Sequence, residues 1–523
     1  MVRLFFVGHF STINFSFLWP IQNKIKMNFR LFVLVLLVSL VGYGQKENHN
    51  LNGIDDEINR LMHQYKAVGL SVAVVKGNEL IYSKGFGYRD LENKLLADEN
   101  TAFHIASMTK AFTAGLLGFL ESSQQLSLSD KPALYIPHFQ FYNEKMNNLI
   151  TIGDLLSHRS GIGNHGASIV MFPENDKLKT VQRLKYLKPQ GEIKNSYLYS
   201  NIGYTIAGTI VEQVTQNSWD DNIKEAFFKP LQMHSSYTTV DDMLKSNNYA
   251  KGYAMFEDKI LNVPYENYYS YAPAGAIKSS AKDLSNWMIA WLNHGVFKDY
   301  QVLPKEYVRK ATSLQNIKSE VYEKDAFLYG EGYGWRLRAW NGIYRVRHGG
   351  NTMGFSSVMD LYPFEGIGVV VLTNQKSSLL PYAISDYISR KLMNLPDFDF
   401  PVKVDDIYQS ITEDLELNNA KKPINALKEF VGKYYAEGYG EIDVVFEQNK
   451  LFAVFPTYRF QLAHLNFNSF YLKGTEDFVG EFNPEFTVEF CNDLNGVISN
   501  LKLYSQKEPV VFKKVNSGLE TVE

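Results

Sequence analysis

The sequence predicts an α+β protein: an antiparallel sheet flanked by helices, an all-helical cluster beside it, then a small all-β barrel or sandwich. Three observations carry that expectation. Strand-like alternation appears at both ends of residues 48–395, around apolar helical stretches that follow no regular strand–helix–strand rhythm. Beyond residue 395 the chain turns acidic and short of apolar runs, then breaks into short alternating segments spaced by turn residues. Aromatic residues make up 14% of the chain, which suits sheet faces and an aromatic-walled cleft.

The start of the chain needs separate treatment. In MNFRLFVLVLLVSLVGYGQ, Met27 to Gln45, a basic Arg30 precedes an apolar run from Leu31 to Val41 and small residues at Gly42 to Gly44. This is the layout of a secretory signal peptide over 27–45, with cleavage expected near Gln45; the run is short for a membrane span. Residues 1–26 then read as an upstream extension. A periplasmic or secreted protein is expected, with no stable membrane span after signal removal. Cys491 is the only cysteine, which excludes an intramolecular disulfide and a cysteine metal site and fits a bacterial envelope.

The elements follow in order. VGLSVAVVKGNELIYSKGFGYRD, beginning at Val68, alternates as two strands joined at Lys76-Gly77-Asn78. Helices are expected over Ser107–Glu121 and after Tyr204. YRVRHGGNTMGFSSVMDLYP and IGVVVLTNQ supply closing strands, expected to share one antiparallel sheet with the first pair. Residues 396–425 read as a linker. In 426–523, turn signals at Glu447-Gln448-Asn449 and from Asn492 to Gly496 mark the hairpins of a separate all-β domain.

Composition narrows the partners. A net charge of −3, from 53 basic and 56 acidic residues, argues against nucleic acid. No His-Glu-x-x-His pattern occurs among the 11 histidines, so no metal site is expected. No organic cofactor is implied either.

The candidate chemistry begins with Ser-x-x-Lys. A chain of this length should contain roughly two or three copies by chance, and two occur, Ser107/Lys110 and Ser279/Lys282. The second reads as a helix start, with Ser280 as cap and Asp283 answering three residues on. In the first, no Glu or Gln stands at 110 to complete such a box, and residues three apart on a helix lie about 5–6 Å apart at Cβ. The Lys110 amine can therefore reach the Ser107 hydroxyl, and it can act as a base if desolvation keeps it neutral. Tyr199 and Asn201, just before an apolar helix, offer a phenol for proton transfer and an amide to hold both a substrate carbonyl and the lysine. His348 is followed by Gly349 and Gly350 on a strand. There a substrate backbone could lie alongside, and the N–H of Asn351 could join that of Ser107 as an oxyanion hole.

Ser107-Met-Thr-Lys110, Tyr199-Ser-Asn201 and His348-Gly-Gly350, in that order, resemble the motifs of the penicillin-recognising serine hydrolases. That family includes class C β-lactamases, D-alanyl-D-alanine carboxypeptidases, D-aminopeptidases and related esterases. TIGDLLSHRSGI and PAGAIKSSAKDL support the resemblance, which spans about residues 50–395, and the C-terminal part resembles the lipocalin-like appendage of some members. The resemblance implies a β-lactamase/transpeptidase-like fold with Ser107 as acylated nucleophile, Lys110 and Tyr199 sharing base and acid roles, and Asn201 orienting substrate. The departure is at His348, where β-lactamases carry Lys-Thr-Gly. Less fixed positive charge moves the expectation from β-lactam hydrolysis towards a carboxypeptidase, D-aminopeptidase or esterase, with His348 tuning Tyr199 or Lys110. Expected substrates are short peptides with D-residues, small esters or β-lactams, with cell-wall material as a further partner. The alternative is a binding protein: a sensor that acylates without turnover, or a cell-wall binder.

Overall fold

Gly69–Lys76 (β1) and Glu79–Asp90 (β2) pair antiparallel around the turn expected at Lys76-Gly77-Asn78. The structure, a computed structural model, describes residues 51–165, 171–256, 259–267, 269–323, 326–396, 421–474, 486–505 and 508–515. The expected upstream extension, signal peptide and most of the linker lie outside the described residues. Among those described, no helix is long and apolar enough to cross a membrane.

The short strand Leu95–Leu96 (β3) continues the edge beyond β2, and six strands come from the far end of the region: Asn316–Glu323 (β4), Ala326–Glu331 (β5), Arg336–Trp340 (β6), Ile343–Thr352 (β7), Phe355–Tyr362 (β8) and Ile367–Thr373 (β9). The sheet order is β4-β5-β6-β7-β8-β9-β1-β2-β3. First and last strands meet as expected, from Leu70 opposite Thr373 to Lys76 opposite Ile367. Both faces of the central strands are apolar because both are covered. Leu70, Val72 and Val74 of β1, with Ile367, Val369 and Val371 of β9, pack against Ile54–Gln64 (α1) and Leu380–Leu392 (α5). Ala73, Val75, Val370 and Leu372 face the opposite layer, which contains Ala281–Leu292 (α4) and the helical cluster.

Thr109–Ser122 (α2) and Asn201–Thr215 (α3) are the central helices of that cluster. α2 is buried nearly all round, which is why its sequence lacks a polar stripe. Gly118 is required by close approach: a Cβ there would lie 2.2 Å from the Tyr307 ring. Phe112 stacks on Trp287 at 3.9 Å and ties α2 to α4. The helix expected from Ser107 begins at Thr109 instead. Ser107 sits in a preceding 3₁₀ turn, Ala106–Met108, because Ala106 takes a positive φ of 46°.

Eight strands from Gly432–Ala436 to Val510–Lys514 close into a barrel, so the C-terminal part is a barrel and not an open sandwich. From Lys421 the chain already lies on it: the N–H groups of Lys421 and Ile424 donate to Asn466 and Asn468. Phe172, from the region before the barrel, is 2% exposed and sits among barrel rings, 5.4 Å from Phe455 and 5.7 Å from Phe512. Arg183 donates to the carbonyls of Phe172 and Tyr439, clamping the same contact. Phe172→Ala should therefore cost about 3–5 kcal/mol at this junction. A urea unfolding curve checks it, and an unchanged midpoint would mean that the ring contributes nothing there.

Candidate active site

Ser107 is presented by backbone geometry. The left-handed Ala106 turns the chain sharply before α2, and Gly350 of β7 lies against that turn, where a Cβ would come within 2.2 Å of the Ile105 carbonyl oxygen. Ser107 Oγ stays partly open, with Lys110 Nζ at 3.1 Å and the donating Tyr199 hydroxyl at 2.8 Å. Lys110 is fully buried. Its Nζ also donates to Asn201 Oδ1 at 2.7 Å and to the Ala274 carbonyl at 2.8 Å, with the Tyr199 ring centroid 4.8 Å away. The turn at Gly334 packs against the Lys110 and Ala111 backbone.

Burial, then the nearby positive charge of Arg336, holds the Lys110 amine well below its usual range; the more weakly felt Glu331 opposes them. Among the described residues no carboxylate is hydrogen-bonded to Nζ. Nζ is within donating distance of three acceptors, Ser107 Oγ, Asn201 Oδ1 and the Ala274 carbonyl, and in its neutral form it needs only the last two as acceptors. Burial pushes the Tyr199 hydroxyl up to about 12, although its bond to Ser107 and the charge of Arg336 pull the other way. At neutral pH Tyr199 therefore holds its proton, and of the two groups Lys110 is the one whose lowered pKa would let it accept one.

Asn201 opens α3, and its own N–H donates to Asn164 Oδ1 at 2.8 Å. Ser200 caps the helix through the Gly203 N–H. His158 is buried and hydrogen-bonded into the start of α3. Its Nδ1 accepts from the Ser200 N–H at 3.1 Å, and its ring lies 4.5 Å from that of Tyr199. The second Ser-x-x-Lys takes no part: the Ser280 hydroxyl accepts from the Asp283 N–H, but the Asp283 carboxylate accepts from Ser235 and Ser236 instead of closing the capping box.

His348 and the glycines differ from the sequence expectation in detail. The spaces above Gly349 and Gly350 are filled by the Tyr382 hydroxyl and the Ile105 carbonyl, so the missing side chains serve packing. The strand edge itself remains available beyond Arg347, where pairing with β6 ends. Thr352 pairs with Phe355 across the tight turn at Met353-Gly354, so ladder alternation turns the Asn351 N–H away from β8, towards that open edge. His348 is buried. Its Nδ1 lies 2.7 Å from the Gly349 carbonyl, which can only accept, so the proton sits on Nδ1 and Nε2 is left as a lone pair. Desolvation, followed by the charge of Arg336, holds the ring well below its usual range and keeps it neutral.

The structure thus brings Ser107, Lys110, Tyr199, Asn201, His348, Gly350 and Asn351 to one place, from α2, the start of α3 and β7. It adds residues that sequence reasoning did not single out: Asn164, Ala274, Glu331 and Arg336. Glu331 and Arg336 stand opposite each other on β5 and β6, with Arg336 Nε 3.4 Å from Glu331 Oε1 and Tyr197 donating to the same oxygen. Burial raises the Glu331 carboxyl to about 7. The sequence signal was charge on a short strand pair, AFLYGE followed by RLRAW. No cluster of three or more metal-ligating side chains occurs among the described residues.

The beta-lactamase family profile matches residues 54–388. Protein flp of Staphylococcus aureus is 30% identical over 355 residues, covering 66% of this chain and 67% of that protein. Unguisins hydrolase ungD' of Aspergillus campestris is 27% identical over 432 residues, covering 76% of this chain and 78% of that protein. Among solved structures, the octameric penicillin-binding protein homologue from Pyrococcus abyssi aligns with a TM-score of 0.61 at 22% identity, covering 88% of this chain and 99% of that one. A class C beta-lactamase aligns at 0.54 and 22% identity, covering 68% and 99%. A sheet between two helical layers, a serine at the head of a buried helix and a match over most of the region before the barrel lead to one assignment: the chain belongs to the beta-lactamase family of serine hydrolases.

Proposed function

We propose that the protein is an exported hydrolase that cleaves short peptides with D-residues, or small esters, through an acyl-enzyme at Ser107. One observation carries this reading: a fully buried lysine and a protonated tyrosine both contact the same partly open serine hydroxyl. A relative bearing the name of a hydrolase of unguisins supports hydrolytic turnover over a passive sensor. Export rests on the signal-like segment at 27–45, and a periplasmic or secreted location follows from it.

In the first step Ser107 Oγ attacks the carbonyl carbon while Lys110 takes its proton. The N–H groups of Ser107 and Asn351 hold the oxyanion, and Tyr199 gives its proton to the leaving group as that bond breaks. Tyr199 recovers a proton from Lys110. A water then attacks the acyl-enzyme as Lys110 takes its proton, and that proton passes to Ser107 Oγ as the bond to the acyl group breaks. Neutral His348 supplies no charge, which favours peptide and ester substrates over β-lactams.

The test is intact mass after incubation with a neutral fluorophosphonate. The wild type should gain one adduct and Ser107→Ala none. Equal labelling of both, with folding unchanged, would overturn the assignment.

A further inference from the structure

The barrel strands follow one another round the closed sheet, so successive turns alternate between its two ends. Turns 437–439 and 455–458 share the end that meets the hydrolase region. There Arg183 donates to the Tyr439 carbonyl, and the Tyr458 hydroxyl donates to Glu266. Turns 448–449, 467–468 and 493–497 therefore lie at the opposite end, together with the segment 421–431 that leads into the first strand. This far end carries apolar tips. Leu494 is fully exposed, Ile424 is 71% exposed, Val497 59% and Phe467 47%. Single exposed apolar side chains are ordinary on a protein surface, but four on adjoining loops are not.

Asn425 ties these loops into one surface. Its Oδ1 accepts from the side-chain amides of Asn468 and Asn492, both at 3.0 Å, and its own amide donates to the Gly496 carbonyl at 3.4 Å. The Phe467 N–H donates to the Lys421 carbonyl, and the Ile424 N–H to Asn468 Oδ1. Phe467 takes a φ of 47°, a backbone conformation that suits Asn or Gly, yet the chain places an aromatic ring there in water. Four exposed lysines stand on the same end, Lys421, Lys422, Lys428 and Lys450, with no carboxylate within ion-pair distance among the described residues. The carboxylates of Glu429 and Asp493 accept from N–H groups of their own loops, and Glu447 is paired with Arg459. We infer that this end of the barrel docks on an anionic lipid surface. The apolar tips enter the headgroup region one side chain at a time, and the lysines around them meet the lipid phosphates. Amides separate the tips, so they form no continuous patch for a protein partner to cover. Docking this way keeps the hydrolase region on the far side of the barrel from the lipid. The inference goes beyond the reaction at Ser107 and does not depend on it.

The experiment is co-sedimentation with vesicles of phosphatidylcholine, alone or mixed equally with phosphatidylglycerol. The chain is used from Lys46 onward, so that the apolar run at Leu31 to Val41 cannot itself enter the lipid. Wild type should bind the mixed vesicles about 10-fold more strongly than the neutral ones. Phe467→Ser combined with Leu494→Ser should weaken that binding about 10-fold. Lys421→Gln combined with Lys422→Gln should weaken it by about the same factor on mixed vesicles and not on neutral ones. Leu96→Ser, at an exposed leucine on β3 in the hydrolase region, should leave binding unchanged. Thermal midpoints equal to that of the wild type establish that each variant is folded. No binding by the wild type, equal binding to both lipids, or undiminished binding by folded Phe467→Ser/Leu494→Ser overturns the inference. Sedimentation velocity without lipid separates the remaining occupant. A dimer that the same double substitution abolishes, in a protein that binds no vesicles, assigns this end to a second copy of the chain and overturns lipid docking.

Discussion

Lys110→Met lowers kcat about 10³-fold on any ester that the wild type turns over, while the thermal midpoint stays close to that of the wild type. The magnitude is that of a positioned general base. Stability should survive because an apolar side chain of similar length replaces a buried amine, and such exchanges of buried polar groups for hydrophobic ones are often neutral or stabilising. The cost is that Asn201 Oδ1 and the Ala274 carbonyl each lose a donor. The pH profile gives the second readout. The working base is the neutral amine, so kcat/KM should rise as pH increases through the Lys110 pKa and then level off. Burial and Arg336 place that limb well below the ordinary lysine value of 10.5. Tyr199, pushed up to about 12, stays protonated across the plateau. A Lys110→Met enzyme with unchanged kcat, or a wild-type limb at the ordinary lysine value, would show that another group takes the serine proton.

Arg347→Met should cost about 3–5 kcal/mol of stability, the usual result of removing one partner from a buried ion pair. Arg347 donates twice to Asp360, at 2.5 and 2.7 Å, and once to Asp386 at 3.2 Å, under the helix α5 that covers this face of the sheet. Asp360 is fully buried and also accepts from Ser385 at 2.5 Å. Burial pushes its carboxyl up, but Arg347, Arg345 and Ser385 together outweigh that and hold it below the ordinary carboxylate value. Because the folded pKa is depressed, Asp360 contributes stability above its unfolded value near about 3.9, and loses it as pH falls through the folded one. Asp386 has the opposite sign, since for it burial outweighs the arginines. Urea unfolding of the variant at neutral pH measures the loss, and a midpoint within error of the wild type would refute it. The same cluster anchors β7, so folded but weakened Arg347→Met protein should also lose activity through Gly349 and Gly350.

Much of the fold was legible because its signals are local. The β1–β2 hairpin followed from alternation around Gly77, the barrel hairpins from turn residues at short spacing, and α2 from an apolar stretch with no strand alternation. Closure of the C-terminal strands into a barrel was not legible, because it depends on pairing between Gly432–Ala436 and Val510–Lys514, which no local pattern encodes. The 3₁₀ turn at Ser107 was missed for a similar reason. Nothing in the residue type of Ala106 announces a positive φ, and Gly350 of the sheet lies against that turn, where no side chain would fit. The glycines after His348 were read as leaving room for a substrate strand; their Cβ directions are in addition filled by Tyr382 and Ile105, contacts that form only when α5 and the turn before α2 close on β7.

By itself the sequence determined the roster and spacing of the chemistry. A serine three residues before a lysine share one helical face in any such turn, and Tyr199-x-Asn201 and His348-Gly-Gly350 are each held together by the covalent chain. What only the tertiary structure decided is the state of those groups. The Lys110 amine is held well below its usual range because it is buried among partners 91 and 164 residues away and because the charge of Arg336 stands near it. Arg336 and Glu331 became part of the same site for the same reason. Protonation is set by dielectric and neighbouring charge in three dimensions, and a spacing along the chain records neither.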